Sequence, residues 1–572
     1  METKETKETK ETKEVIDTKE TIETIETIDT SLRWKYVERD VPEPRSGRQL
    51  CGRYQTGIYK VVGIGGLFLL VMSTLIAYHH TLWTGVVVLL YFINQCLASF
   101  SNKSVYQKVA NLVKTEESWD NFEKQKVGIV IVGYREKPEY FEKCMNSLRL
   151  YSSCFVNVIV LVVDGEEKED EYMIEIAKKE WSEFSFHSVM TPITPLYPLA
   201  DSDMATIDLE EKQSTSQGRY TKPVLYTINR PHQGKRATMA YGIDFLKTNY
   251  PDNREIIVMD SDTFLRKESI PNLVLGFRED KDEKNGCMTG SIEIFNKNYL
   301  LPRIVNARYG YAFSIERGAM SWYGCMNCCS GPFSIYRQDL MTDQLLSDFI
   351  GQKCCSEHVG PGDDRHLTNL VMMEGYKSRQ NPFAIAWTET PKYLFRYLQQ
   401  QTRWSRSYYR EQIYQIFACT HQNLFLSCVT TWELFFPFFI MIGFFPYFNP
   451  SVVIYLHRIL IAFFVAFLRT TVLITFYKGD FSYSHNIFIF LLYFLILLPI
   501  KLYALLTCCL QQWITSSRKN IVSTLFSPDT IGMCLSILLW YIVFVSSFYA
   551  QSTLYHQQWN ELNWAKLYSL SF

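Results

Sequence analysis

The sequence predicts an α/β domain inserted between groups of α-helical transmembrane segments, and three observations predict it. Apolar stretches of membrane length flank a polar region running from about residue 102 to residue 422. Within that region, short Val/Ile-rich runs alternate with stretches of helical periodicity. Two of those runs end on an acidic residue, and the C-terminal strand ends are where open parallel sheets gather their functional groups.

Composition agrees with a membrane protein of several parts. The chain has 572 residues, 47% hydrophobic and 15% aromatic, which is too long and too apolar for one ordinary soluble domain. Lys plus Arg (58) nearly balances Asp plus Glu (59), so no nucleic-acid partner is expected from charge. The 15 cysteines are scattered rather than packed into a short secreted scaffold and read as reduced thiols. Cys325, Cys328, Cys329, Cys354 and Cys355 invite a test for zinc, but adjacent cysteines are awkward tetrahedral ligands and no structural zinc is expected.

In chain order, residues 1–56 read as a disordered Glu-Thr-Lys-rich tail followed by a basic juxtamembrane segment. The first apolar stretch begins near Ile58, too far along for a cleavable signal. Ile58–Tyr78 and Leu82–Phe100 form a predicted transmembrane hairpin (57–101), each arm long enough for a hydrocarbon core of roughly 30 Å. Basic residues flank the pair on both sides, which puts both ends in the cytosol.

The domain proper spans 102–392. Its expected elements are a strand at Val127–Gly133, a helix at Pro138–Leu150 with proline at its start, a strand at Val156–Val163 ending on Asp164, and a strand at Ile256–Met259 ending on Asp260. Residues 168–222 are polar and carry no assignment. Residues 393–424 read as amphipathic helices in the membrane interface. Residues 425–551 form a predicted channel region with apolar segments Phe425–Phe448, Val452–Tyr477, Asn486–Leu510 and Ile531–Ala550, before a tail at 552–572. Strict alternation would put Arg518 and Lys519 outside, whereas Pro499 and Lys501 make the third segment re-entrant or interfacial, so the topology of 486–520 stays open. Glu433, His457, Arg458 and Arg469 are costly against lipid and fit a polar path, although Arg458 could also snorkel.

The chemistry-bearing residues fall into a set. Asp260-Ser261-Asp262 presents alternate carboxylates suited to a hard Mg2+ or Mn2+ ion, with an ordinary turn as the alternative. Asp164, Tyr134 and Glu136 follow strands and would form a nucleoside pocket, or simply turns. Lys235 and Arg236 after Gly234 suit a diphosphate, though alone they read as surface charge. Asp364, approached through Gly360-Pro361-Gly362, is the best general base, unless Asp363 or Asp364 only caps the helix beginning near Arg365. Gln400, Arg403 and Trp404 share a helix face, offering a guanidinium beside an indole platform for a sugar. Together the set matches what transfer from a nucleoside diphosphate sugar requires: charge against the leaving diphosphate and a base for the attacking hydroxyl.

GDDRHLTN (362–369), TETP (388–391), QQTRWSRSYYRE (400–411), CSGP (329–332), GKR (234–236) and WITSSRK (513–519) resemble the class I hyaluronan synthases, membrane-integrated processive family 2 glycosyltransferases related to chitin and cellulose synthases. The resemblance runs from the first hairpin to Lys519. It implies an A-type inverting glycosyltransferase domain with a Rossmann-like mixed sheet. It further implies UDP-N-acetylglucosamine and UDP-glucuronic acid as donors, Mn2+ or Mg2+ as cofactor, and a nascent polysaccharide exported through the lipid bilayer by a multi-pass plasma-membrane protein with a cytosolic catalytic domain. Residue by residue, it implies that Tyr134, Glu136, Asp164, Lys235, Arg236, Asp260 and Arg403 bind the UDP-sugar, Asp262 the metal, and that Asp364 is the base. Trp404, Gln400 and Cys354 would face the acceptor, and Trp513, Thr515, Arg518 and Lys519 would belong to a gating loop at 511–520. Two departures stand out: the stretch from Cys355 to Pro361 is longer than the family's, which questions the role of Cys354, and Ile514 replaces a glycine of the gating motif. The rival enzyme reading is a chitin or chito-oligosaccharide synthase using UDP-N-acetylglucosamine only. A non-catalytic membrane scaffold or transporter is the rival of another class.

Overall fold

The computed structural model describes residues 34–37, 42–45, 49, 81–115, 127–152, 155–182, 186–190, 204–207, 223–279, 283–354, 357–444, 460, 464, 467, 473–480, 492–510 and 527–569. The first predicted span, the gating loop with Trp513, Thr515, Arg518 and Lys519, most of the second C-terminal apolar segment and the first residues of the third (486–491) lie outside these residues.

Nine strands make one mixed sheet: β1 (Val127–Gly133), β2 (Val156–Asp164), β3 (Phe186–Met190), β4 (Val224–Arg230), β5 (Glu255–Asp260), β6 (Phe264–Leu265), β7 (Asn285–Ile294), β8 (Ser334–Arg337) and β9 (Lys377–Thr388). Their spatial order is β3-β4-β2-β1-β5-β8-β7-β9-β6. The first five of these neighbours pair in parallel, and β8 runs antiparallel to both β5 and β7. The strands predicted at Val127–Gly133, at 156–163 and at 256–259 are β1, β2 and β5, with the latter two extended by a residue or two.

β1 is buried along its whole length because both faces of the sheet are covered, which is why VGIVIVG reads as a continuous apolar run rather than an alternation. The pleat still sorts its side chains. Val130 and Val132 join Val158, Val160 and Val162 against Ile243, Phe245 and Leu246 of α3 (Lys235–Asn249). Ile129 and Ile131 join Ile159 and Leu161 against Phe141, Met145 and Leu148 of α2 (Pro138–Tyr151). Because β4, β2, β1 and β5 run parallel, their C-terminal ends gather at one edge of the sheet.

Three long helices frame the domain. α1 (Thr81–Lys114) does not stop near Phe100 as expected but runs on for fourteen more residues, because its polar positions find buried partners. Ser99 Oγ donates to the Ser314 carbonyl, and Asn102 Nδ2 donates to the Gln380 carbonyl at 3.2 Å. One unbroken helix therefore leads from a predicted membrane segment into the sheet's flank. α5 (Leu394–Gln422), expected in the membrane interface, exposes Tyr393, Leu394 and Phe395 at its start, yet buries Arg406, Ser407, Arg410 and Glu411 among protein groups. Arg406 is ion-paired with Asp529 and donates to Thr507 Oγ1, at the end of α6 (Leu498–Leu506). α7 (Pro528–Ser569) begins beside that pair. Among the described residues, one helical stretch, the 27 residues Pro528–Leu554, is long and apolar enough to cross a membrane, spanning about 40 Å.

Candidate active site

β1, β2 and β5 lie side by side, so the residues after Gly133, Asp164 and Asp260 open onto a common edge. Asp164 is nearly inaccessible. Its carboxylate accepts from the backbone N–H of Gln233 at 2.8 Å and of Gly234 at 3.1 Å, and lies 2.9 Å from His232 Nδ1. Burial opposes the charge, but the His232 and backbone contacts outweigh it and hold this carboxyl below its usual range. Asp164 thus orders the 232–234 loop. That loop in turn stacks His232 on Tyr134, ring centroids 4.3 Å apart, at the mouth of the edge.

The ordered loop delivers Lys235 at the first turn of α3. Its Nζ lies 2.7 Å from Asp260 Oδ1 and 2.9 Å from Asp363 Oδ2. Burial works against an ammonium here, yet the two carboxylates prevail and raise its pKa well above the lysine value. Lys235 therefore joins the end of β5 to the start of α4 (Asp363–Met373). Arg236 behaves differently from expectation: it is 4% exposed, and its Nη1 and Nη2 donate to the carbonyls of Phe349 and Pro361 at 3.1 and 3.3 Å. The sequence reading gave it to the UDP-sugar; the structure sets it under the turn that precedes α4.

Asp262 stands among like charges. Withdrawal from water, then the charges of Glu136, Asp260 and Glu389, push its carboxyl well above the ordinary carboxylate range, and Lys235 offsets this only in part. Glu389, from the TETP string, was not singled out from sequence. It is held by Lys137 Nζ at 3.0 Å and by the Tyr140 hydroxyl at 3.0 Å. Its companions Lys137 and Tyr140 follow β1, so the signal lay in proximity that only the sheet order reveals.

On the other side of Lys235, Gly362 opens α4 with φ 92°, and a Cβ there would meet Ser407 Oγ of α5 at 2.2 Å. Only glycine meets both demands. The turn gives the two aspartates different partners. Asp363 turns to Lys235, and burial of its carboxyl is outweighed by that ammonium, which holds it below the usual range. Asp364 accepts from Cys328 Sγ at 3.1 Å and from the backbone N–H of Arg365 at 2.8 Å. Burial, and then Asp364 itself, raise the Cys328 thiol above its ordinary value, so it stays a neutral donor.

α5 packs against this turn at Ser407, close to Gly362, and is bonded to it through Arg410 Nη2, which donates to the Pro361 carbonyl at 3.0 Å. Gln400, Arg403 and Trp404 lie half-buried on the same helix, with the Trp404 indole 6.4 Å from the Tyr309 ring. Glu411, one turn past Ser407, is buried 3.1 Å from His366 Nδ1 and accepts from Asn369 Nδ2 at 3.1 Å. Burial opposes its charge, but His366 prevails and holds its carboxyl at about 2. Cys354, on the far side of Pro361 from the aspartates, has its Sγ 3.3 Å from that of Cys509.

The edge thus combines buried acids, a bridging lysine, a planar aromatic pair and an Arg/Trp helix. A family model, glycosyltransferase like family 2, matches residues 217–407. Hyaluronan synthase 2 of Rattus norvegicus is 31% identical over 435 residues, covering 73% of this chain and 74% of that protein. Hyaluronan synthase 3 of Mus musculus is 32% identical over 432 residues, covering 72% and 73%. Among solved structures, a mannosyltransferase from Pyrobaculum calidifontis in complex with GDP-Man and Mn2+ aligns at 11% identity and TM-score 0.36, covering 70% of this chain and 96% of its own. With relatives of that identity spanning nearly three quarters of both chains, the protein belongs to the hyaluronan synthase family of glycosyltransferases.

Proposed function

We propose that this hyaluronan synthase polymerises UDP-N-acetylglucosamine and UDP-glucuronic acid with inversion, using Asp364 as the base and the end of β5 as the diphosphate pole. The observation that carries the reading is the double ion pair of Lys235 with Asp260 and Asp363, which sets the strand-end acids beside the turn bearing Asp364. In the transfer, the acceptor hydroxyl oxygen forms the bond to the anomeric carbon while the bond from that carbon to UDP breaks. The hydroxyl proton passes to Asp364, and the electron pair leaves with the diphosphate. Asp364 is poised for this because Asp363, not Asp364, is bound to Lys235, leaving its contacts to a neutral thiol and one backbone N–H.

Tyr134, with His232 stacked on it, offers a flat apolar face for the base of the donor, and Asp164 keeps the 232–234 loop in register below it. Lys235 and Arg403 would meet diphosphate charge, while Trp404 and Gln400 would carry the acceptor sugar. Arg236 supports the base turn through Pro361. The crowding that drives Asp262 toward its protonated form fits a hard divalent cation, Mn2+ or Mg2+, held by Asp262 with Asp260 and Glu136 nearby. Such a cation supplies positive charge to the departing diphosphate.

The product leaves, in this reading, through a membrane region formed by 57–101 and 425–551, with Pro528–Leu554 as one span, the catalytic domain cytosolic, the gating loop 511–520 closing on UDP, and the plasma membrane as location. Radiolabelled polymer formation with each donor alone and with both, followed by hyaluronidase digestion, tests the donor assignment. Polymer is expected only with both donors, and a long chitinase-sensitive product from UDP-N-acetylglucosamine alone would transfer the protein to chitin synthesis.

A further inference from the structure

Cys354 sits on a short hairpin in which Lys353–Cys354 pairs with Glu357–His358, leading into the Pro361 turn. Two more thiols, Cys508 and Cys509, come from the turn that ends α6. The three Sγ atoms all lie within 4.8 Å of one another, and those of Cys354 and Cys509 are 3.3 Å apart. All three residues are partly buried, and none forms a disulfide. Sequence argued against vicinal cysteines as joint ligands, but the chain leaves helical geometry after Leu506, and the turn directs both side chains to the same partner.

Sulfurs at that spacing can share one cation, since Zn–S bonds of about 2.3 Å set tetrahedral thiolates roughly 3.8 Å apart. We propose that Cys354, Cys508 and Cys509 form a three-thiolate site for a thiophilic divalent cation of the zinc class, distinct from the carboxylate edge, which fastens the Cys354 hairpin to the end of α6. A disulfide would use two of the sulfurs, whereas a cation can engage all three, which lie within 4.8 Å of one another. Binding replaces three S–H bonds by three S–metal bonds and releases three protons to solvent, with no change of oxidation state.

Arg410 braces the cluster. Its Nη1 donates to the Cys508 carbonyl, its Nη2 to the Pro361 carbonyl, and its charge stands beside the Cys354 and Cys508 sulfurs. The hard carboxylates of Asp260 and Asp262 select oxygen-loving cations, so the two sites sort metals by softness. Through Arg410, the filled thiol site touches the same turn that positions Asp364. That link to the chemistry rests on the proposed role of Asp364; the binding of metal does not.

The test uses the full chain, purified reduced in detergent, stripped with chelator and titrated anaerobically with Cd2+. A sulfur-to-cadmium charge-transfer band saturating at one equivalent is expected, with reactive thiols falling by three on loading. Cys354→Ser, Cys508→Ser and Cys509→Ser should each shrink the band by about a third and weaken binding at least about tenfold. Asp262→Asn should leave the band intact, which separates this site from the carboxylate edge. Elution profile and thermal transition of each serine variant, unchanged from wild type, exclude misfolding as the cause. An absent band, a band retained in full by the serine variants, or a Cys354–Cys509 disulfide found by mass spectrometry in protein as isolated without added reductant would overturn the proposal.

Discussion

The acids at the end of β5 and those at the start of α4 face each other across Lys235, yet they are balanced in opposite ways. The α4 pair has the positive end of a helix, a direct ion pair for Asp363 and Arg236 close by, and Asp363 is correspondingly held below the usual carboxylate range. The β5 pair shares the one lysine but adds Glu136 and Glu389, and Asp262 is driven upward. A lysine can neutralise one charge, so it settles the helix side and leaves the strand side in deficit. In the proposed mechanism the comparison separates a base site that the protein's own charges would complete from a diphosphate site that a cation from outside would complete.

The strongest way to break that contrast is Asp262→Asn. The amide removes a proposed metal ligand while relieving the repulsion, so UDP release from donor should fall by at least about a thousandfold, near 4 kcal/mol of barrier, with thermal stability unchanged or raised. Excess EDTA should silence wild type in the same way. Full activity under chelation would mean that the strand-side deficit is not filled by a metal.

On the helix side the two aspartates should part company. Asp364→Asn keeps size and one acceptor oxygen but takes no proton at neutral pH, so transfer should drop by roughly two to four orders of magnitude with donor affinity preserved. Asp363→Asn instead takes a charge from Lys235 and is expected to cost about 1–3 kcal/mol of stability. Calorimetry of donor binding beside single-turnover transfer reads both. Loss of donor binding in Asp364→Asn as severe as the loss of transfer would place the wrong residue at the centre.

Sequence carried the parallel half of the sheet well, because Val/Ile runs that end on acids are local signals with few rival readings. It favoured Asp364 over Asp363 as the base but could not give the two their separate partners, since Lys235 arrives from 128 residues earlier in the chain. Glu389 and His232 escaped for the same reason: each becomes part of the site only when distant strands are neighbours. Arg236 shows the converse case. A cation after glycine reads as a phosphate ligand, but two carbonyls from residues 349 and 361 claim its donors. The amphipathic pattern of α5 is equally ambiguous, because a basic helix face pairs with lipid headgroups or with Asp529 and Pro361 by identical chemistry.

A gentler probe of the bridge itself is Gly331→Ala. A Cβ there would lie 3.0 Å from Lys235 Nζ and 3.3 Å from Asp260 Oδ2, tight enough to push the lysine by a few tenths of an ångström. Transfer should fall by about tenfold, less than the hundredfold that a full 1 Å displacement can cost. Initial rates at saturating donors check it. An unaffected rate would show that both sides of the site tolerate a shifted Lys235, and the contrast between them would lose its hinge.

The smallest effect concerns Glu411, which fixes α4 to α5 behind the base turn without touching the acids across from it. Its carboxyl titrates near about 2, below the roughly 4.3 of an unfolded glutamate. The native state therefore binds this proton more weakly than the unfolded state, so Glu411 contributes stability that is complete above about pH 4.3 and is lost as pH falls toward 2. Glu411→Gln mimics the protonated form. The variant should unfold at a lower temperature than wild type at pH 7, and the gap should close between pH 4 and pH 2 as wild type itself becomes protonated, read by thermal unfolding in detergent across that range. A gap independent of pH would assign the loss to packing, and would remove the His366–Glu411 pair from the account of why the helix side is electrostatically complete.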